Sequence, residues 1–190
     1  MTKKSQITNM WRPPLDFARW RLTDNSGSFA DCPANVGEIP MGAHVGAFGV
    51  QRKHHIHEGI DLYCSSGAVV RAVERGIVVV VEPFTGPNAG SPWWLDTQCV
   101  LVEGASGVVV YGEIATEVPV GSVVDVGAPL GTVARVLRVN KGRPQDMLHL
   151  ELHAPGTRQC PEWTTERPAT LLDPTPHCLN WARRDQLILT

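Results

Sequence analysis

Between Gly42 and about Leu152 the chain is a series of short runs rich in Val, Ile and Leu, separated by glycine. The runs are Ala68–Val73, Ile77–Glu82, Cys99–Glu103, Val108–Ile114, Ser122–Val126, Leu130–Leu137 and Met147–His153. Gly67, Gly76, Gly104, Gly107, Gly121, Gly127 and Gly131 sit at the joints, where a chain that reverses needs residues tolerant of turn geometry. Short β-branched runs with regularly spaced turn signals predict a mainly β, antiparallel architecture. Helical periodicity is almost absent, and Trp181–Leu189 is the single late candidate for a helix.

Three stretches follow from this reading. Residues 1–41 are polar, proline-bearing and weakly periodic, and are expected to form an N-terminal arm, extended or packed. Residues 42–179 carry the β domain, and 180–190 a C-terminal tail that includes the helical candidate. Pro83–Asp96, with Pro87, Pro92, Trp93 and Trp94, is expected to be a loop that lines a groove or caps the sheet, capping being the simpler expectation. Arg138–Asp146 is a second polar loop leading into the last run, and the segment after Pro155 is expected to wrap the domain.

A chain of 190 residues with 43% hydrophobic residues can bury one full core. The formal net charge of -2 argues against a general nucleic-acid binder, which would carry a basic face. No apolar run approaches the ~20 residues of a membrane span. Met1 to Trp20 lacks the apolar centre of a classical secretory signal, so the sequence leaves cytoplasmic location and export by another route both open. The five cysteines, Cys32, Cys64, Cys99, Cys160 and Cys178, include no Cys-x-x-Cys pair, which argues against a cysteine zinc knuckle. Buried free thiols and one or two disulfides remain open.

The chemistry is concentrated in His57-Glu58-Gly59-Ile60-Asp61 and in Met147-Leu148-His149-Leu150-Glu151-Leu152-His153. Two histidines and an aspartate, here His57, Asp61 and His149, are a three-ligand set that leaves a tetrahedral zinc ion one open position. Four-residue spacing would suit a helix, but Gly59 and the following Cys64-Ser65-Ser66-Gly67 favour a loop running into a strand. The second segment alternates, so Met147, His149, Glu151 and His153 share one face. With His44, His54 and His55 close by, scattered surface histidines beside an ordinary aspartate are the simpler reading from spacing alone.

Phe48-Gly49-Val50-Gln51-Arg52, then His57-Glu58-Gly59-Ile60-Asp61-Leu62, Gly67-Ala68-Val69-Val70-Arg71-Ala72 and Gly76-Ile77-Val78 resemble the lysostaphin-type (LytM-like) zinc endopeptidases. The resemblance continues through Val109-Val110-Tyr111-Gly112, Val120 to Gly131 and His149-Leu150-Glu151, and covers roughly residues 42–153. It implies the antiparallel β sandwich and groove of that family (a duplicated hybrid motif). It also implies zinc held by His57, Asp61 and His149, and hydrolysis of peptide bonds in peptidoglycan cross-links or similar glycine-rich peptides through zinc-activated water. The family's role would place such a protein in periplasm, cell wall or medium.

Two positions depart from the family pattern. Where the family has the histidine of its Tyr-x-His strand, this chain has Glu113; where it has the first histidine of His-x-His, this chain has Met147. Methionine cannot exchange a proton. Glutamate can act as a base, and can stabilise an oxyanion only when protonated. Glu113 is therefore the expected catalytic base, with Asp146, His55 and His153 as weaker substitutes. The alternative is an inactive, zinc-bound binding or regulatory module. A lipoyl- or biotinyl-type carrier, suggested by the Val120–Gly131 hairpin, fails because no lysine lies between Lys53 and Lys141.

Overall fold

The structure, a computed structural model, describes residues 11–24, 35–140 and 145–186. Cys32, the Lys3-Lys4 start, the middle of the Arg138–Asp146 loop and the end of the Trp181–Leu189 candidate lie outside the described residues.

Nine strands form one antiparallel sheet: β3 (Ile60–Tyr63), β4 (Val69–Arg71), β5 (Gly76–Thr85), β6 (Thr97–Gly104), β7 (Val108–Ala115), β8 (Val123–Val124), β9 (Pro129–Val133), β10 (Met147–His153) and β11 (Leu171–Leu172). The path runs β11-β10-β7-β6-β5-β8, with β3 on β10 and β9 joining β4 to β7. The mainly β, antiparallel class read from the sequence is what the chain adopts. Two earlier strands, β1 (Arg19–Thr23) and β2 (Val36–Pro40), were not visible as β periodicity and pair in parallel. The α-helix among the described residues, α1 (Thr175–Gln186), begins six residues before Trp181. Pro174 supplies the carbonyl that accepts from His177 and Cys178, and the Asp173 carboxylate accepts the Thr175 N–H at 2.8 Å. Asp-Pro-Thr-Pro is thus a helix start, with proline tolerated in the first turn.

The main core lies on one face of the sheet. Leu148, Leu150 and Leu152 of β10 meet Val109 and Tyr111 of β7 and Val100 and Val102 of β6 there. Each such side chain contributes about 1.5–3 kcal/mol through burial. Trp11, Trp20 and Ile39 from the N-terminal segment and Trp181 from α1 close this core, with the Trp181 indole donating to Trp11 O at 3.1 Å. The opposite face carries a smaller apolar cluster of Cys99, Leu101, Val108 and Val110, against which Phe84 and Cys160 pack. Both faces of β10 are buried, so its odd-numbered polar residues, His149, Glu151 and His153, must satisfy one another.

β7 carries an irregularity beside the residue opposite His149. Gln98 pairs with Ile114 and Val100 with Tyr111, so β7 has one residue more than β6 across this interval. Gly112 and Glu113 occupy this bulge, and Glu113 takes a left-handed backbone, φ 62. Bulges re-aim side chains next to sites, and a non-glycine residue held there costs of order 1–3 kcal/mol.

Candidate metal centre and groove

The loop before β3 is fixed by its own backbone. Gly49 N donates to His57 O at 2.8 Å, His57 N to Val50 O at 2.9 Å, and Asp61 N to Gly46 O at 2.9 Å. β3 then pairs with β10 so that Asp61 lies opposite His149. The expected loop and strand, rather than a helix, therefore brings His57 and Asp61 to His149. The three ligand-capable atoms are mutually close: His57 Nε2 to Asp61 Oδ1 3.1 Å, His57 Nε2 to His149 Nδ1 3.2 Å, and His149 Nδ1 to Asp61 Oδ1 2.9 Å. All three residues are buried.

Their outer partners decide which atoms face inward. His57 Nδ1 lies 2.8 Å from Ala47 O, and a carbonyl only accepts, so Nδ1 carries the proton and Nε2 a lone pair. His149 Nε2 lies 2.8 Å from Glu151 Oε1 and donates to it, which turns Nδ1 inward. Three lone-pair atoms then converge with no donor between them, an arrangement that needs a proton or a cation. Zinc ligands at ~2.0–2.1 Å in a tetrahedron stand about 3.3 Å apart, so the donor set and its spacing fit such an ion. In the absence of metal a proton serves. Burial alone would lower the His149 pKa, but hydrogen bonds to Asp61 and Glu151 and their charges outweigh it and hold it well above the usual histidine value. Burial likewise acts to raise Asp61, yet its contacts with His57 and His149 and the charge of Arg52 pull its carboxyl well below the ordinary range.

Several residues outside the expected set complete the centre. Arg52 pairs with the second Asp61 oxygen and donates to Val45 O at 2.8 Å. Glu151 accepts from His149 through one oxygen and from His153 Nε2 at 2.7 Å through the other. Glu58 accepts the Trp163 N–H at 2.7 Å and so ties the segment after β10 to the loop carrying His57. The alternation of His149, Glu151 and His153 was the signal for the Glu151 pair; nothing in the sequence announced Ala47 O or Trp163.

Glu113, Met147 and Asp61 line one groove of about 460 Å³, together with Arg52, Tyr63 and Trp94. Of the two loop tryptophans, Trp94 faces this groove and Trp93 is exposed, so groove lining describes the loop better than capping. Glu113 Oε2 is buried and has no hydrogen-bond partner, as is true of Asp146 Oδ1. Burial first, then the Asp61 charge, pushes the Glu113 carboxyl up to about 8 against the opposing pull of His149 and Arg52, with Asp146 adding to the rise. His153 is fully buried on Glu151 and Thr170, and His55 is half-buried 3.8 Å from Glu58; neither belongs to the converging set. The groove thus holds an orphaned, protonatable carboxyl beside a site that can hold a metal.

The chain is similar in structure to lysostaphin in solution, at 18% identity and a TM-score of 0.50, covering 76% of this chain and 51% of that one. It has a lysostaphin-like fold. A putative M23 peptidase from Pseudomonas aeruginosa (17% identity, TM-score 0.43) covers 70% of this chain and 47% of its own. The catalytic domain of the antimicrobial peptidase lysostaphin from Staphylococcus simulans (17% identity, TM-score 0.45) covers 69% of this chain and 85% of its own. The chain therefore spans about half the length of the first two of these. At these identities the likeness is one of fold. No family model and no curated protein sequence matches the chain. Among the described residues no helix is long and apolar enough to cross a membrane.

Proposed function

We propose that this chain is a zinc-dependent peptidase that cleaves peptide bonds of peptidoglycan cross-links or similar glycine-rich peptides. The observation that carries the proposal is the convergence of His57 Nε2, His149 Nδ1 and Asp61 Oδ1, with both imidazoles oriented from behind by Ala47 O and Glu151. These three residues are the ligands in this reading. A zinc ion there supplies Lewis acidity towards the scissile carbonyl and lowers the pKa of bound water towards ~7. Arg52 holds Asp61 with one oxygen towards the histidines. Glu113 handles the proton: its unpartnered Oε2 takes one from the attacking water and returns it to the leaving amine. In its protonated form it donates a hydrogen bond, a role that the raised pKa makes accessible at neutral pH. The fold and the groove beside the centre support this reading.

Met147 in the groove favours a second reading, a zinc-bound binding module that uses the same groove for recognition. Zinc content and peptide release separate the two. Wild type and Glu113→Gln should both carry zinc at the histidine site, and only wild type should release peptide from peptidoglycan or cut pentaglycine. A fully active Glu113→Gln protein removes Glu113 from the mechanism. Zinc-loaded wild type without release from either substrate supports the binding module.

A further inference from the structure

A second cluster of metal-ligating groups lies on the same sheet face. Glu82 of β5 stands directly across from Cys99 of β6, and Cys160 reaches them from the segment after β10. One oxygen of Glu82 and the two sulfurs all lie within 4.8 Å of one another. Cys99 is fully buried, while Glu82 and Cys160 are partly exposed and give an ion a path in.

We propose that Glu82, Cys99 and Cys160 form a second metal site, for a thiophilic divalent cation of the zinc type, that fastens the segment after β10 to the sheet. Two thiolates and a carboxylate are donors that zinc accepts at ~2.3 and ~2.0–2.2 Å, with water in the fourth position. The groups need to draw together by no more than about an ångström to reach such distances. Binding releases one proton from each thiol, and the product carries two thiolates, one carboxylate and the ion.

The carboxylate distinguishes this site from a disulfide. Among the described residues the Glu82 carboxylate accepts no hydrogen bond and joins no ion pair, and a Cys99–Cys160 bond would leave it so. The fastened segment carries Trp163, whose backbone donates to Glu58 and accepts the Ile56 N–H at 2.7 Å. The second ion would thus brace the wall beside His57.

Cobalt reports on sulfur ligation, because a thiolate-to-cobalt charge-transfer band cannot arise from the sulfur-free set of His57, Asp61 and His149. The full chain, reduced and free of oxygen, would be titrated with Co2+ alone and the band then displaced with Zn2+. The band should saturate at one equivalent of bound thiolate site, persist in His149→Ala and in Cys64→Ser, and be lost in Cys160→Ser. In the unaltered protein, zinc should also protect Cys160 from alkylation, a measurement that depends on no variant folding. Absence of the band in folded wild type, its persistence in Cys160→Ser, or a Cys99–Cys160 disulfide that forms with zinc present would each overturn the proposal. None of these outcomes bears on the histidine centre.

Discussion

Gly59→Ala tests how tightly the candidate centre is built. A Cβ on Gly59 would lie 2.6 Å from Leu150 O, 2.9 Å from His149 Nε2 and 3.0 Å from His149 Cε1. An ordinary contact begins at 3.4 Å, so the neighbours must retreat by about 0.8 Å (3.4 minus 2.6). Neither is free to do so. Leu150 is paired with Ile60 on one side and Tyr111 on the other, and the His149 ring is held by Glu151 at 2.8 Å. Gly59 has no left-handed backbone, so alanine meets no conformational penalty and the whole effect is one of space. Overpacking of this kind costs typically 1–3 kcal/mol, offset by about 0.4–1 kcal/mol from a stiffer unfolded chain. The expected net loss is therefore about 0.5–2 kcal/mol in chelator-treated protein, read from denaturant unfolding. Metal affinity should suffer separately, because the displaced atoms belong to the ring of a proposed ligand; a loss of about 10–100-fold is expected from a competing chelator, the scale seen when a ligand's outer support is disturbed. A variant with wild-type stability and unchanged zinc affinity would refute the reasoning, since both neighbours would then have moved at no cost.

Glu151→Gln replaces the acceptor that orients both His149 and His153, and zinc affinity is expected to fall about 10–100-fold by equilibrium dialysis while the fold persists. Unchanged affinity would show that His149 is oriented by its strand alone. For Glu113 the folded pKa of about 8 exceeds the ordinary 4.5, so the native state keeps a proton that the unfolded chain releases between these values. Its contribution is fully present below pH ~4.5 and is lost as pH rises through ~8, a loss of a few kcal/mol in the metal-free protein. Glu113→Gln should flatten that part of the stability profile in chelator; parallel profiles for the two proteins would count against a buried, protonated Glu113.

The strands legible in the sequence were those with a clean pattern. Met147–His153 is a strand at those bounds because leucines at the even positions fill the core and the odd positions share the other face. β1 and β2 were hidden because RWRLT and VGEIP mix charge, glycine and proline, and their burial comes from Trp11, Trp20 and Trp181, which meet only in three dimensions. The residues His57, Asp61 and His149 could be picked from their motif, but Gly59 read there only as a helix breaker. Its other property, leaving room for the His149 ring, is a relation between two strands. Gly112 is similar: a Cβ there would stand 2.5 Å from the Phe84 ring, which also lies 5.4 Å from the ring of His149. The bulge that turns Glu113 into the groove left no mark in the sequence, since only the count of residues against β6 reveals it.

Glu113 and Met147 flank His149 from two directions, Glu113 beyond the residue opposite it on β7 and Met147 two positions earlier on β10. An imidazole at either place would bring a group able to become positive. With a carboxyl and a thioether instead, the groove sets Asp61 and Glu113 against the exposed Lys53 and against Arg52, which is already engaged by Asp61; the Asp146 charge also acts on Glu113. The repulsion that the Asp61 and Asp146 charges exert on Glu113 is relieved by a proton or by a bound cation. The directions of the pKa shifts say that without metal the site holds protons, on His149 and on Glu113. A divalent cation bound at the three converging atoms would displace the first and favour release of the second. On the proposed reading, a carboxyl and a thioether at these two positions still leave a proton carrier beside the ion. That reading ties the charge state of Glu113 to the ion itself, so that Glu113 would be a base in the loaded protein and a neutral acid in the empty one.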